Sequence, residues 1–303
     1  MSVDVCTEFL KDASSSPELQ RRMRTMTGLR EIVRLGDRNG YAFDEQDLIT
    51  ASSVYRPEEG DAVPSSLSSA TAAPPPAETS FLHYEYAIAD LPGFEEVAEL
   101  LPRLKIRPPS VDAEAFRAGH REDDRLSMEY SPTGTDYARW RARLPEEDAA
   151  RRAFHLVNLD EHVDHPGYDD YLDAKAGVLA ALDRAFGSEV RFSGSMWYPP
   201  GAYRLWHTNE NQPGWRMYII DFDAPFEGPG ATSFFRYRAP GTGELVTLPE
   251  RPGLVRFFRV EQEPERLFWH CIGNPTPRDR WSFGFVVPDD WAARFAMAAG
   301  RGA

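Results

Sequence analysis

The chain has 303 residues, 42% of them hydrophobic, enough for one large domain with a sizeable core plus a small appendage. A net charge of −14 argues against non-specific binding to nucleic acid or anionic membranes, and no run is long and apolar enough to span a bilayer. With only two cysteines, Cys6 and Cys271, and no secretory pattern in MSVDVCTEFL, a disulfide framework is not expected and a reducing cytoplasm fits.

Residues 1–53 read as a small helical module. Phe9 and Leu10 end a first apolar run, and Ser16 precedes Pro17-Glu18-Leu19, a helix start with Pro in its first turn. Leu29, Ile32, Val33 and Leu35 follow at helical spacing until Gly40 supplies a stop. Asp44 caps a further short helix, with Phe43 and Leu48 placed for a hydrophobic staple. Residues 54–79, rich in Ser, Pro and Ala and including Pro74-Pro75-Pro76, read as a flexible tether with a stiffer polyproline part.

The third segment, residues 80–303, opens with an alternating strand over 81–88 and a short helix over 93–101, stopped by Pro102. Residues 112–143 are charged and lack a clean period, and read as long loops walling a cleft. His120, His162 and His165 fall in or near such loops, and His162-x-x-His165 has the form of a metal pair without a third ligand nearby. Tyr171, Ala174, Val178, Leu182 and Ala185 mark a helix over 168–186 that covers one face of the sheet to follow.

After Gly187 the apolar period drops to two. Eight short strands are expected at 190–198, 202–207, 216–221, 232–237, 244–248, 254–259, 267–272 and 281–287. Turns such as Pro199-Pro200-Gly201 and Pro240-Gly241-Thr242-Gly243 separate most of them, and the set predicts a mainly β jelly roll, a double-stranded β-helix. His207 closes the second strand and His270 lies near the end of the seventh, so the two can meet at one open end as neutral imidazole ligands of a metal with open positions. Arg280 opens the last strand with Ser282 on the same face, a pattern suited to a carboxylate.

Two resemblances follow from these residues. Phe9-Leu10, Pro17-Glu18-Leu19-Gln20 and Gly40-Tyr41-Ala42-Phe43-Asp44-Glu45-Gln46-Asp47-Leu48 make residues 1–53 similar to nif-eleven-type leader sequences of ribosomally made, modified peptides. Tyr198-Pro199-Pro200-Gly201, His207-Thr208-Asn209, His270 and Arg280-Trp281-Ser282 make the last 110 or so residues resemble the iron(II)- and 2-oxoglutarate-dependent oxygenases, including their prolyl hydroxylase-like members. The second resemblance implies Fe(II), 2-oxoglutarate and O2, with His207 and His270 on the metal and Arg280 and Ser282 on the distal carboxylate. Tyr198 and Tyr218 would add hydrogen bonds.

The chain departs from that family at Asn209, where most members carry a carboxylate ligand. Asn209 ligates through its amide oxygen, or stands beside a metal-bound water, or makes way for a halide as in the related halogenases. Aspartyl/asparaginyl β-hydroxylases also lack the carboxylate, and share the arginine nine residues after the first histidine, here Arg216. That favours hydroxylation over halogenation. Glu210, Asp221 and Asp223 are candidate substitute ligands, each with a plausible surface or turn role. Arg216 either binds a carboxylate of keto acid or substrate, or pairs with Asp221 or Glu227. Trp206, Trp215 and Trp269 are expected to pack the barrel. Arg236 and Arg238 face solvent or the cleft. The substrate expected is a peptide or small molecule, with peptide-maturation enzymes as partners of the N-terminal module. The competing class is a non-catalytic ligand-binding β-helix that has lost its carboxylate.

Overall fold

The computed structural model describes residues 2–54, 83–145, 153–226 and 232–294. The chain divides into two compact units, residues 1–82 and 83–303. Apart from Val54, the tether read over 54–79 lies outside the described residues, as does Glu227. No helix among the described residues is long and apolar enough to cross a membrane.

The first unit holds four helices, α1 (Ser2–Ser15), α2 (Pro17–Met23), α3 (Leu29–Arg38) and α4 (Glu45–Val54). Their starts follow from local chemistry. The Ser16 hydroxyl accepts from the Leu19 amide at 3.3 Å, and Glu31 reaches back to accept from the amides of Thr27 and Gly28 at 2.7 and 3.2 Å. Gly40, with φ of +84°, lies just beyond α3, as the expected stop requires. Cys6, Phe9, Leu35, Phe43, Leu48 and Ala51 form the core, which places both staple residues together.

The second unit carries β1 (His83–Ala87), α5 (Glu95–Leu104), α6 (Ala113–Ala118), α7 (Glu122–Ser127), α8 (Thr135–Arg141), β2 (Phe154–His155), β3 (Val157–Asn158) and α9 (Tyr168–Phe186). Eight strands follow: β4 (Arg191–Tyr198), β5 (Tyr203–His207), β6 (Gly214–Phe222), β7 (Phe234–Arg238), β8 (Leu245–Pro249), β9 (Leu254–Val260), β10 (His270–Gly273) and β11 (Arg280–Val286). They make two antiparallel sheets, ordered β1-β9-β6-β11-β4-β3 and β2-β5-β10-β7-β8. β4 pairs with β11, β5 with β10, β6 with β9 and β7 with β8. First with last and inward to the middle is the winding of a double-stranded β-helix, as the strand pattern implied.

Alternation along the strands then sorts the side chains. On the larger sheet Met217, Ile219, Val255, Phe257, Phe283 and Phe285 pack with Val97 and Leu101 of α5 and Val178 and Leu182 of α9. A fully buried pair, Lys175 and Asp160 at 2.9 Å, sits under this layer, with the Tyr171 hydroxyl donating to the same carboxylate oxygen. Alternate residues Tyr218, Ile220, Arg256, Phe258, Arg280 and Ser282 line a cavity between the sheets.

Two expectations need correction. Pro102 does not stop α5, which continues to Leu104. Leu101 and Leu104 keep the buried spacing, and that packing outweighs the one lost hydrogen bond. Residues 112–143 are not cleft-walling loops but contain α6, α7 and α8, helices of six or seven residues that are too short to show a period. They do not line the cavity. Met128 and Trp140 instead pack on Tyr203, Leu205, Trp206 and Cys271 of the smaller sheet, and Arg236 donates to the Met128 carbonyl at 2.8 Å.

One glycine is dictated by the cavity. A Cβ on Gly284 would meet the Tyr218 ring and the Ser193 hydroxyl, each at 2.8 Å. Gly284→Ala is therefore expected to displace Tyr218 and to cost about 1–3 kcal/mol in denaturant unfolding. An unchanged midpoint would show that the ring does not need this space.

Candidate active site

The two histidines come together through sheet register. His207 at the end of β5 lies directly opposite His270 at the start of β10, and their ring centroids are 4.0 Å apart. A bulge between His270 and Ile272 lets Arg204, three residues before His207, line the same cavity. Each histidine has its Nδ1 at 2.8 Å from a carbonyl two residues earlier, Leu205 for His207 and Phe268 for His270. Such a contact assigns the ring proton to Nδ1 and leaves Nε2 with its lone pair. The Nε2 of His207 is buried without a hydrogen-bond partner.

Both rings are held neutral. Burial, with Arg204 and His270 adding repulsion, pushes His207 well below the ordinary histidine value. Burial likewise pushes His270 down to about 3, against the hydrogen bond to Phe268 that works the other way. Phe235, Phe258 and Phe268 surround the His270 ring at centroid distances of 5.3, 5.2 and 5.6 Å.

Asn209 adopts φ of +57°, a left-handed conformation that asparagine tolerates better than most residues. Its amide oxygen accepts from Arg204 at 3.1 Å, and its amide nitrogen lies 3.4 Å from the His270 Nε2. In this arrangement the amide oxygen is engaged by Arg204 and the amide nitrogen faces the histidine. Glu210 is exposed, Asp221 pairs with Lys105 at 2.6 Å and Asp223 with Arg107 at 3.6 Å, and none of the three lines the cavity. Among the described residues no group of three His, Cys, Asp or Glu is placed to hold a metal.

The cavity lining is also basic, with Arg204, Arg256 and Arg280. Arg280 lies on the lining with Ser282, Tyr198 and Tyr218, and part of its fork is engaged by the protein. Its Nε and Nη2 donate to Glu250 at 2.7 and 2.9 Å, and the Tyr198 ring lies 4.5 Å from the guanidinium carbon. Arg256 donates to the same Glu250 at 2.9 Å and to Glu85 at 2.8 Å. Burial pushes the Glu250 carboxyl up, but Arg280, Arg256 and the Ser233 hydroxyl outweigh it and hold the group at about 2. Sequence reading missed Arg204, Glu250 and Arg256. Arg204 alone carried a signal, since it stands on the strand of His207.

The cavity is small and opens to solvent. Of its lining residues, His207, Ser193, Arg204, Arg256 and Arg280 each present a buried polar atom without a hydrogen-bond partner. Three arginines against two carboxylates, Glu250 and Glu85, leave a positive balance that suits an anion.

The remaining candidates are not brought to this site. Arg216 is buried but donates to the carbonyls of Gln212 and Trp215 at 2.6 and 3.4 Å, and its expected partner Asp221 is held by Lys105. The Nδ1 of His162 contacts the Ser110 hydroxyl at 2.9 Å and that of His165 accepts from the Gly167 amide at 2.9 Å, so the pair shares no ligand position. Trp206, Trp215 and Trp269 pack against the apolar clusters, and Arg236 and Arg238 do not line the cavity.

Comparison with known proteins adds the following. Residues 1–48 match the model of the Nif11 domain. No curated protein matches the chain. Similar solved structures include a Pseudomonas putida prolyl-4-hydroxylase, 17% identical over 40% of this chain and 64% of that one, with a TM-score of 0.26. A dioxygenase for auxin oxidation from Arabidopsis thaliana is 9% identical over 69% of this chain and 84% of that one, with a TM-score of 0.31. A Trichoplax adhaerens prolyl hydroxylase is 11% identical over 62% and 97%, with a TM-score of 0.28. The match spans less than two thirds of the Pseudomonas chain. At such scores the functional reading rests on the side chains.

The buried histidines make metal-free stability pH-dependent. The unfolded chain takes up these protons near pH 6.5, the folded chain only near pH 3 at His270. The stability is therefore full above about pH 6.5 and falls as pH drops toward 3, by about 1.4 kcal/mol per pH unit for each histidine. His270→Phe, which suits the aromatic surroundings, is expected to flatten that slope in denaturant melts. An equal slope in the variant would contradict the assignment.

Proposed function

We propose that residues 80–303 form an Fe(II)- and 2-oxoglutarate-dependent oxygenase that hydroxylates an unactivated carbon of a peptide or amino-acid-derived substrate in a ribosomal-peptide pathway. One observation carries the reading. Two neutral imidazoles stand side by side on a cavity, the Nε2 of His207 without a partner and that of His270 facing only the Asn209 amide, and the same cavity is lined by buried arginines with unpartnered N–H groups.

The donor set fits the group. Neutral imidazole suits a divalent first-row metal, and two protein ligands leave positions for a chelating keto acid, water and O2. When bound, iron with 2-oxoglutarate and O2 supplies oxidative decarboxylation to succinate and carbon dioxide, and oxidation of a C–H bond. The chain does the rest. The carbonyls of Leu205 and Phe268 orient the two ligand rings. Arg280 and Ser282 hold the far carboxylate of the keto acid, with Tyr198 and Tyr218 beside them. Ile220, Phe235, Phe258 and Ile272 give the cavity a dry apolar wall, which strengthens the charge contacts inside it. Asn209 would stand beside the metal site, its amide facing His270 and tying Arg204 to the site. Its bulk also speaks against the halide alternative, and the retained arginine N–H groups speak against a site that has lost its ligand.

The Nif11 match at residues 1–48 supports a peptide pathway, with the module recruiting substrate or maturation enzymes across the tether. Succinate formation from 2-oxoglutarate is expected in the full chain with Fe(II), and is expected to vanish in His207→Ala and His270→Ala. Arg280→Met is expected to raise the KM for 2-oxoglutarate by more than about tenfold, the loss of at least one charge-assisted contact. A wild type that forms no succinate with any candidate peptide, or a His207→Ala that turns over like wild type, would overturn the reading. Deleting residues 1–79 is expected to leave uncoupled succinate formation in place and to abolish peptide modification. Persistence of both would give the module another role.

A further inference from the structure

The cavity holds a second buried arginine besides Arg280. Arg256 on β9 is 1% exposed and lines the same space. One oxygen of Glu250 accepts from Arg256 Nη1 and from Arg280 Nη2, both at 2.9 Å, so a single carboxylate oxygen ties the two guanidinium groups together. Glu250 itself does not line the cavity and sits behind the pair. Its second oxygen accepts from Arg280 Nε and from Ser233 Oγ, both at 2.7 Å.

What remains on each arginine is informative. Arg280 has spent Nε and Nη2 on Glu250, and Arg256 has spent Nη1 on Glu250 and Nε on Glu85. Each keeps one terminal nitrogen, Nη1 of Arg280 and Nη2 of Arg256, that is buried without a partner. Both groups are also braced by rings, Arg280 over Tyr198 at 4.5 Å and Arg256 over Phe235 at 4.3 Å. Burying an unsatisfied cationic N–H is costly, and two of them beside one shared carboxylate imply a ligand that satisfies both. A carboxylate has two oxygens and no donors of its own when ionised, so it can accept one N–H from each arginine.

We propose that Arg256 and Arg280 jointly bind the distal carboxylate of the co-substrate, one terminal nitrogen from each, with Glu250 as the positioning residue that holds both. This rests on the keto-acid reading above. The consequence is selection at the far end of the acid. A keto acid with a second carboxylate engages both arginines, whereas one ending in a methyl group leaves both nitrogens unsatisfied.

The test is equilibrium binding to the full-length, Fe(II)-loaded chain without oxygen, followed by calorimetry, with 2-oxoglutarate and 2-oxobutyrate as probes. The wild type is expected to prefer 2-oxoglutarate by well over tenfold. Arg256→Lys keeps the charge but removes Nη2, and is expected to weaken 2-oxoglutarate at least about tenfold while leaving 2-oxobutyrate unchanged. Arg256→Gln, which removes the guanidinium and its charge, serves as the second variant, and unchanged 2-oxobutyrate binding reports an intact site in either variant. If both variants keep the wild-type preference, the joint site is wrong and the single-arginine anchor stands. If the wild type binds neither acid, the keto-acid reading itself falls, and the joint site with it.

Discussion

Glu250 is the carboxylate on which the cavity floor depends. It is wholly buried, yet it remains ionised because two guanidinium groups and a serine hydroxyl surround it. Such a cluster is expensive to desolvate, by several kcal/mol per ion, and an apolar filling would serve stability as well or better. Its retention makes sense if it sets geometry. Glu250 follows β8 directly, while its partners stand on β9 and β11, so the carboxylate links the two sheets across the barrel interior. The arginines cannot swing out to solvent, and each holds one N–H group ready for a ligand.

At the two histidines the constraint is strand pairing. His207 and His270 lie 63 residues apart in sequence and become directly opposed only because the second and seventh strands of the roll are neighbours. The rings then need no metal to hold their orientation, since each is fixed by a carbonyl of its own strand or the turn before it. Arg204 keeps the local charge positive and is tied to Asn209, which supplies no negative charge. The result is a pocket lined by two neutral imidazoles and three arginines, with no acidic group on its lining. An anion is the ligand that such a distribution favours.

Much of this architecture was legible in the sequence, for physical reasons. The eight strands and α9 announce themselves by period and by their turns, because one face of each meets the core. His207, His270, Arg280 and Ser282 were legible because they stand at strand ends that the roll brings to one space. Glu250 and Arg256 were not, because a buried ion cluster has no sequence spacing and an arginine inside an alternating strand looks like a solvated face. The turning of the Asn209 oxygen toward Arg204 depends on one long side chain reaching through a bulge, which no pattern reveals. The short helices between 113 and 141 were lost for a different reason, since fewer than two turns cannot display a period.

The most direct measurement is an anaerobic titration of the metal-free chain with Fe(II) and then 2-oxoglutarate, followed by visible absorption. A weak charge-transfer band that requires both components, and that is absent in His207→Ala and weakened in Arg280→Met, is the expected result. Properly folded protein that develops no band with both components present would contradict a keto-acid-chelating metal site, and would leave the cavity as a binding site for some other anion.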